Sequence, residues 1–272
     1  MIDKCTTKSW ETSLYEPQQL YYNLMGEKIL TDKNVKSAYY MAKYKKSCDS
    51  PAWDGMTRTI LIDGMEQEHA LALIRYHILH GPSGCVKRFD IPKSNGKTRP
   101  ISIYPLLDRV AQWCIMEPLR KACGPLLSPI NHAFLKGKSC KTAFDAFPPA
   151  GEAGYVICGD IHSFFDSVSH SLVRACLWSA GIRDSQLLHA INVTLKTPYK
   201  YPKQPKVRPE QGLPQGAPIS PLLANIILAY MDRYFDALYG DQKLPHMVRY
   251  ADDFVIFLSL IHISEPTRRR GI

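Results

Sequence analysis

The spacing of apolar positions along the chain predicts several amphipathic helices. A helical period runs through residues 65–80, where Leu71, Ile74 and Ile78 fall on one face, and a Gly-Pro-Ser-Gly turn follows at residues 81–84. Initial proline or serine residues and final glycines predict three more helices, at residues 105–122, 170–180 and 221–239. No stretch approaches about 18 uninterrupted apolar residues, so a membrane-spanning helix is not expected.

Extended segments are predicted at three places. Two alternating runs in residues 86–104 flank Asn95-Gly96, a pair typical of a tight hairpin turn. Residues 155–160 form a short apolar run that ends in an aspartate and suits a buried strand. Residues 246–258 form two apolar, β-prone runs around Ala251-Asp252-Asp253, which predicts a second tight hairpin with carboxylates at its turn.

Composition and charge indicate a globular chain with an uneven distribution of basic residues. Of the 272 residues, 45% are hydrophobic and 22% are charged, which is ordinary for a globular chain and argues against a disordered or a small disulfide-bonded protein. The net charge is +9, and residues 86–141 hold eleven Lys or Arg against three acids, an excess of +8. Such a stretch is usually a solvated face, but it also suits a polyanionic partner. A second, thinner basic patch, interleaved with tyrosines, comprises Lys196, Lys200, Lys203, Lys206 and Arg208.

The eight cysteines are scattered, without the CxxC or Cys/His spacing of a zinc site. We interpret them as reduced packing residues of a cytoplasmic protein. The first residues lack the apolar core of a signal peptide, in keeping with that location.

Three aspartates stand in apolar surroundings, where a charge needs a partner. Asp160 ends one apolar run, and Asp252 and Asp253 lie between two others. An Asp pair in a turn is ordinarily turn chemistry, but this pair lies inside an apolar hairpin and is matched by a third aspartate at a strand end. Converging carboxylates repel one another, and Mg²⁺ relieves that repulsion while keeping room for water and phosphate oxygens. Two such ions would stabilise the attacking and leaving oxygens of a phosphoryl displacement.

Four segments, in order, resemble the motifs of reverse transcriptases. Tyr250-Ala251-Asp252-Asp253 resembles the catalytic YADD box, and residues 160–166 (DIHSFFD) resemble the catalytic motif that precedes it. Residues 211–225 (QGLPQGAPISPLLAN) are similar to the segment between them, and residues 91–100 (IPKSNGKTRP) are similar to the fingers motif. The match spans residues 50–258 and looks most like group II intron-encoded and related bacterial retroelement enzymes.

The resemblance implies an α+β fold, the fingers and palm of a right-hand polymerase, with an antiparallel palm sheet packed by helices and the thumb absent. The domains would be an N-terminal helical extension at residues 1–50, fingers at 51–145 with the basic hairpin 86–104, and a palm at 146–258. Residues 259–272 look like a translated sequencing adapter or a disordered basic tail. We therefore expect the chain by itself to polymerise poorly, because thumb and primer grip would be missing.

The resemblance also implies a metal centre. Asp160 and Asp252 would hold two Mg²⁺ ions, for which Mn²⁺ can substitute, with the backbone carbonyl of Ile161 as a further ligand and Asp253 as a third carboxylate. One ion would lower the pKa of the primer 3′-hydroxyl, and the other would neutralise the leaving pyrophosphate.

Substrate contacts follow from the same resemblance. Lys97 and Arg99 would bind the triphosphate, Arg through two parallel contacts and Lys as a point charge. Phe164 would be the steric gate that excludes a 2′-hydroxyl, with Phe165 as the adjacent candidate, although core packing also explains either ring. Two residues would line the pocket near the template base and the nucleotide: Gln215 and Gly216.

Two departures leave the subfamily open. His162 stands where many group II-like enzymes carry Lys or Arg, and residues 131–139 only loosely resemble the usual Phe-Arg-Pro-Gly-Arg-Ser pattern. Group II introns, retrons, diversity-generating elements and defence systems all remain candidates for the parent element.

The function predicted from these features is RNA-templated DNA synthesis by two-metal nucleotidyl transfer from a dNTP to a primer 3′-hydroxyl. Its partners would be an RNA template, a DNA or RNA primer, dNTPs and, in an intron-encoded enzyme, the intron RNA, with no membrane; the oligomeric state is left open. The alternatives are an RNA-dependent RNA polymerase, a catalytically silent nucleic-acid-binding remnant of a polymerase, and a two-metal nuclease. Primer extension with dNTPs and with rNTPs separates them.

Overall fold

The structure is a computed structural model, and the contacts within it divide the chain into two compact units. The helical unit comprises the described residues of 17–124 and 165–223, and the carboxylate unit comprises residues 125–164 and the described residues from 224 onward. The boundaries predicted for fingers and palm stay a prediction. For Arg99 only the backbone is described. The described residues are 19–82, 84–92, 96, 98–239 and 244–259.

Helices and strands alternate along the chain. The helices are α1 (Asp32–Tyr44), α2 (Arg58–Ile62), α3 (Gln67–His80), α4 (Leu106–Cys123), α5 (Cys140–Asp145), α6 (Phe164–Ser167), α7 (His170–Ser179), α8 (Ser185–Leu195) and α9 (Ser220–Tyr239). The strands are β1 (Val86–Pro92), β2 (Thr98–Ile103), β3 (Tyr155–Asp160), β4 (Tyr199–Lys200), β5 (His246–Tyr250) and β6 (Asp253–Leu258). A π-helical turn spans Met25–Ile29, and 3₁₀ turns span Lys46–Asp49 and Gly124–Leu126.

The helical unit is organised around α4, most of whose side chains are buried, including two charged ones. His77 Nδ1 lies 2.8 Å from Asp108 Oδ1. Burial raises the pKa of Asp108, and the hydrogen bond from His77 acts against that rise. Arg109 donates to the carbonyl oxygens of Ser47 (2.7 Å) and Ser50 (3.1 Å). Arg109, counted above in the basic stretch, is therefore an internal anchor and adds nothing to a basic surface.

The hairpin predicted at residues 86–104 is present. β1 and β2 pair antiparallel, with Asp90 opposite Pro100, although residues 93–95 and 97 of its tip lie outside the described residues. β4 adds to the other edge of β1 as a parallel strand, which gives the sheet order β2-β1-β4. Val86, Tyr104 and Ala217 form a small apolar core beneath this sheet.

The carboxylate unit contains an antiparallel sheet of order β3-β6-β5, and the predicted hairpin of residues 246–258 is its β5–β6 pair. Ala143 of α5 packs with Val248 and Phe257 of this sheet. The coarse prediction of an α+β fold with an antiparallel sheet agrees with this arrangement.

The prediction that residues 155–160 form a buried strand is wrong in one respect. β3 has the expected bounds, but Tyr155 is 51% exposed and Val156 is 54% exposed. Within the described residues β3 is an edge strand that pairs only with β6, so no second strand lies beside its side chains, and most of its residues are exposed.

None of the helices in the described part of the chain combines the length and the hydropathy needed to cross a bilayer. The seven cysteines among the described residues are free thiols, and burial raises the pKa of Cys114 and of Cys123 to about 12. Both cysteines belong to α4 and are buried, which agrees with their predicted role as reduced packing residues.

The contacts of Arg109 generate a stability prediction. Arg109→Lys replaces a planar donor that reaches two carbonyl groups by an ammonium that cannot hold both. We expect the free energy of unfolding to fall by roughly 1.5–3 kcal/mol, the contribution of one charged hydrogen bond in a buried site, as measured by urea denaturation.

The matched control is Arg120→Lys on the same helix, whose guanidinium pairs with Glu117 at the surface. This control should change the unfolding free energy by less than about 1 kcal/mol. Equal losses in the two variants would show that the buried contacts of Arg109 contribute no special stability.

Candidate active site

Backbone pairing brings the three aspartates to one end of the carboxylate unit's sheet. Asp160, the last residue of β3, lies opposite Asp253, the first residue of β6. Ala251 and Asp252 form the turn between β5 and β6. The N–H of Ile161 donates to the carbonyl of Asp252 at 3.3 Å, so the chain leaving β3 stays beside that turn.

The charges of this cluster act on one another. Burial raises the pKa of Asp253, and the neighbouring carboxylates of Asp252 and Asp160 raise it further. A divalent cation would remove that repulsion, and carboxylate oxygens are the donors that Mg²⁺ prefers.

Side chains alone do not complete a metal site here. In the part of the chain that the structure describes, no three His, Cys, Asp or Glu side chains are placed to hold a metal ion. The carbonyl of Ile161 accepts a hydrogen bond from the N–H of Phe164 at 3.1 Å, and a carbonyl oxygen has a second lone pair. The donor set therefore fits an ion that keeps water or substrate oxygens among its ligands, as Mg²⁺ does.

A buried arginine that no motif singles out holds the turn that carries Asp252. Arg249 in β5 is 0% exposed, and its Nε and Nη2 donate to the two carboxylate oxygens of Asp232 in α9 at 2.7 and 2.5 Å. Its Nη1 donates to the carbonyl of Ala251 at 2.8 Å, in a turn where Ala251 has φ +58°. One guanidinium thus fixes both a helix and the turn. The available signal was an Arg and an Asp, each inside an otherwise apolar segment.

The backbone of Arg249 is fixed as well. Its N–H donates to the carbonyl of Ile130 at 3.0 Å, and the N–H of His132 donates to its carbonyl at 2.8 Å. Burial raises the pKa of Asp232, and the hydrogen bond and charge of Arg249 act against that rise. Residues 130–132 therefore lie alongside β5, and residues 131 and 132 are the first of the segment with the loose motif match.

The helical unit brings other predicted site residues together. The N–H of Ser102 in β2 donates to the carbonyl of Gln215 at 3.2 Å. Gly216 has φ +104°, and a Cβ there would lie 2.2 Å from the carbonyl oxygen of Ser102, so only glycine fits. Arg99 also lies in β2, with an undescribed side chain, and Lys97 lies outside the described residues.

The two candidate gate residues differ in burial. Phe164 is only 6% exposed. Phe165 is half-buried and lines a cavity of about 290 Å³ in the helical unit, together with Arg88, Tyr199 and Gly212. The N–H of Leu213 donates to the Phe165 carbonyl at 2.6 Å, which ties this residue to the segment that leads to Gln215.

Comparison with known proteins decides the family. A family model described as reverse transcriptase (RNA-dependent DNA polymerase) matches residues 91–263, more than half of the chain. The chain belongs to the reverse transcriptase family. The resemblance drawn from the four motifs is thereby confirmed.

Relatives of the chain indicate the branch of the family to which it is similar. Protein YkfC of Escherichia coli is 32% identical over 210 residues, which cover 73% of this chain and 53% of that protein. The group II intron-encoded protein LtrA of Lactococcus lactis is 31% identical over 155 residues (55% of this chain, 25% of that protein). The retron Mx162 reverse transcriptase of Myxococcus xanthus is 28% identical over 189 residues (66% and 36%). These relatives support a reverse transcriptase of the group II and bacterial type. The chain spans about half the length of YkfC and a smaller share of the lengths of the other two proteins.

The contacts of Arg249 allow its positioning role to be separated from a role in folding. Replacing both partners, as Arg249→Met with Asp232→Leu, leaves no unpaired buried charge, so the fold should persist with near-normal unfolding free energy. The Ala251 carbonyl loses its donor, however. We expect Mn²⁺, followed by electron paramagnetic resonance titration, to bind roughly tenfold more weakly, since a lost charged hydrogen bond costs about 1.5 kcal/mol or more.

A surface ion pair in the same unit gives the control for the Arg249→Met, Asp232→Leu double variant. Lys141 and Asp145 lie 3.7 Å apart on α5 with both side chains exposed, and Lys141→Met with Asp145→Leu should leave Mn²⁺ affinity unchanged. Removing one buried partner alone, as in Asp232→Ala, should cost roughly 3–5 kcal/mol of stability. Full Mn²⁺ affinity in the Arg249/Asp232 double variant would refute the positioning role.

Proposed function

We propose that this reverse transcriptase transfers deoxynucleotides from dNTPs to a primer 3′-hydroxyl on an RNA template. One observation carries the proposal: the β3–β6 register sets Asp160 opposite Asp253, beside the turn that holds Asp252. Three carboxylates at one end of a sheet repel one another. A site that binds divalent cations together with phosphate substrates would relieve that repulsion, which gives the cluster a functional reason.

The metal centre would use this chain's oxygen donors. Asp160 and Asp252 would hold two Mg²⁺ ions, with the carbonyl of Ile161 and the carboxylate of Asp253 as further oxygens. When bound, such ions stabilise both the attacking and the leaving oxygen of an in-line displacement. The protein's own contribution is to hold the carboxylates in place, which Arg249 does through the carbonyl of Ala251.

The helical unit would bind the nucleotide and the template. Lys97 and Arg99, on the β1–β2 hairpin, would contact the triphosphate, and Gln215 and Gly216 would line the pocket near the template base. The close packing of Gly216 on Ser102 supports this assignment, because it fixes the segment of residues 211–216 against the strand that carries Arg99.

The steric gate is better assigned to Phe165 than to Phe164. A gate has to touch the sugar of the incoming nucleotide, and Phe164 is almost completely buried whereas Phe165 borders a cavity. The ring of Phe164 would then serve to pack the residues that follow Asp160.

Other parts of the predicted function stay predictions. The relatives named as intron-encoded and retron proteins make a structured RNA, including an intron RNA, a candidate partner besides the template. The cytoplasmic location and the poor polymerisation expected of the 272-residue chain also stay predictions, and the oligomeric state is left open.

Addition of a single nucleotide to an annealed primer tests the proposed reaction without requiring processive synthesis. We expect incorporation of a dNTP on an RNA template with Mg²⁺, and a fall of roughly a hundredfold or more in Asp252→Ala, because metal charge stabilisation contributes several kcal/mol. The control Lys141→Ala changes an exposed residue of the same unit and should keep the parent rate. An unchanged rate in Asp252→Ala would falsify the site assignment, and preferred use of rNTPs would favour an RNA polymerase.

The gate assignment predicts a change in sugar selectivity. Phe165→Ala should raise the ratio of rNTP to dNTP incorporation, because it opens space where a 2′-hydroxyl would sit. Phe164→Ala should instead lower the unfolding free energy by roughly 3–5 kcal/mol, as is typical for a buried Phe, and leave the ratio unchanged. The assignment is reversed if Phe164→Ala raises the ratio and Phe165→Ala does not.

A further inference from the structure

Residues 211–213 lie against the part of the chain that begins at the proposed gate. The N–H of Gly212 donates to the carbonyl of Val168 at 2.7 Å, and the N–H of Leu213 donates to the carbonyl of Phe165 at 2.6 Å. Gly212 has φ +97°, and a Cβ there would lie 3.1 Å from the carbonyl oxygen of Phe165, so this close approach suits glycine. The backbone contacts therefore hold the segment against the residues that follow Phe165.

A buried histidine holds one peptide group of this segment from the other side. His170, the first residue of α7, is 8% exposed, and its Nε2 lies 3.1 Å from the carbonyl oxygen of Gly212. That carbonyl and the N–H of Leu213 belong to a single planar peptide unit. His170 holds the oxygen of the unit and the carbonyl of Phe165 holds its nitrogen, so the unit cannot rotate without breaking both hydrogen bonds.

The surroundings of the imidazole ring determine where its proton lies. A carbonyl oxygen can only accept, so Nε2 carries the hydrogen. Nδ1 is buried and has no hydrogen-bond partner among the described residues, so a proton placed there instead would leave a buried donor unpaired. Burial lowers the pKa of His170, the hydrogen bond to Gly212 opposes that fall, and the charge of Lys196 adds to it. The ring is therefore neutral near pH 7 and donates from Nε2.

The segment held in this way leads to the predicted nucleotide pocket. The carbonyl of Gln215 accepts a hydrogen bond from the N–H of Ser102 at 3.2 Å, which fixes the far end of the segment. Gly212 and Phe165 both line the cavity of about 290 Å³, whereas His170 is not among the described residues that line it. His170 thus contacts the back of the segment, and its influence on a substrate has to pass through Gly212.

We propose that His170 is a positioning residue for nucleotide binding, which holds the Gly212 peptide group so that Phe165 and Gln215 keep a fixed alignment. This role rests on the proposed function, in which the two aligned residues contact the incoming nucleotide and line the pocket near the template base. Without the Nε2 donor, the peptide group is held only by its N–H and can rotate. Packing alone makes no such demand, since an apolar side chain of similar size would then serve as well as His170.

Two substitutions separate the donor from the volume of the ring. His170→Gln carries an amide N–H group at about the position of Nε2 and should keep the contact with Gly212, whereas His170→Leu fills space without a donor. Hydrogen–deuterium exchange of the 272-residue chain, without metal ion or nucleotide, measures the hold directly. We expect the amides of residues 211–217 to exchange roughly three- to tenfold faster in His170→Leu, the factor that one hydrogen bond contributes, and at the parent rate in His170→Gln.

Addition of a single nucleotide then tests the consequence for the substrate. His170→Leu should raise the KM for the dNTP roughly three- to tenfold while kcat stays within about twofold, because the nucleotide pocket is loosened and the metal ligands are unchanged. His170→Gln should return the KM to within about twofold of the parent value.

Two control variants of the same unit separate positioning from general stability. Ile74 is 0% exposed in α3, and Ile74→Val should lower the midpoint of urea denaturation yet leave both the exchange of residues 211–217 and the KM unchanged. His189→Leu, which removes an exposed histidine of α8, should change none of the three measurements. If Ile74→Val speeds the exchange or raises the KM as much as His170→Leu does, loss of stability explains the effect and the positioning role is refuted.

The two measurements distinguish this role from the proposed reaction. Unchanged exchange in His170→Leu overturns the proposal whatever the activity, and faster exchange with an unchanged KM overturns it as well. Loss of the effect in His170→Leu but not its rescue by His170→Gln would assign the effect to the shape of the ring and contradict the role of the donor. A parent chain that adds no nucleotide contradicts the proposed function alone, and the exchange of residues 211–217 then decides by itself whether His170 positions the segment.

Discussion

The buried contact between Arg249 and Asp232 is the interaction on which the carboxylate unit depends. The guanidinium is 0% exposed and uses three of its donors, two on the Asp232 carboxylate and one on the carbonyl of Ala251. Removing two charges from water is costly, and their attraction offsets that cost only when the geometry is good and the remaining donors are satisfied. Here the third donor is satisfied by the turn itself, so the stability of the pair and the position of Asp252 are coupled. Successive side chains of a strand point to opposite faces, so Arg249 lies on the sheet face away from the cluster of Val248 and Phe257, and there its contact with Asp232 sets the conformation of the β5–β6 turn.

The same coupling explains how the unit tolerates three neighbouring carboxylates. Repulsion among Asp160, Asp252 and Asp253 raises the pKa of Asp253, and it would favour any opening of the β3–β6 pair that separates the charges. The antiparallel ladder from Tyr155 to Asp160 opposes that opening along its whole length. The turn is held from the other side by Arg249, through α9. The cluster is thus preorganised by the hydrogen-bonded register of β3 and β6 and by the buried guanidinium of Arg249. A divalent ion that binds there would meet donors that need little rearrangement.

How far the sequence predicts this structure depends on how local each determinant is. The helices α3, α4, α7 and α9 and both hairpins follow from periodicity, caps and turn residues, all of which act within a few residues. The prediction that β3 is buried is wrong, because burial depends on what packs on the faces of a strand and beside it, and its apolar composition says nothing about either. The pair of Arg249 with Asp232 and the parallel addition of β4 to β1 were missed for the same reason: each joins residues that are distant in sequence. The aspartate cluster also joins residues that are distant in sequence. Local pattern places each aspartate at a strand end or in a turn, but the prediction that they form one centre rests on the resemblance of the motifs. Lys97 and the Arg99 side chain fall outside what the structure describes, so their proposed role rests on the motif alone.

The distribution of charge over the chain has a single physical explanation in this family. Nucleic acid and dNTPs are polyanions, and an acidic cluster repels them unless cations lie between the two. The chain bears a net charge of +9 while keeping three carboxylates together, so attraction of the polyanion and the chemistry on it require different surfaces. In the helical unit Lys87, Arg88 and Lys200 lie against the rings of Trp53 and Tyr199, and basic groups of this kind would provide the attraction. In the carboxylate unit the aspartates would provide oxygen donors for metal ions, and such ions would let a phosphate approach. Neither surface could take over the task of the other, since a lysine near the aspartates would compete with the metal ions for the same carboxylates.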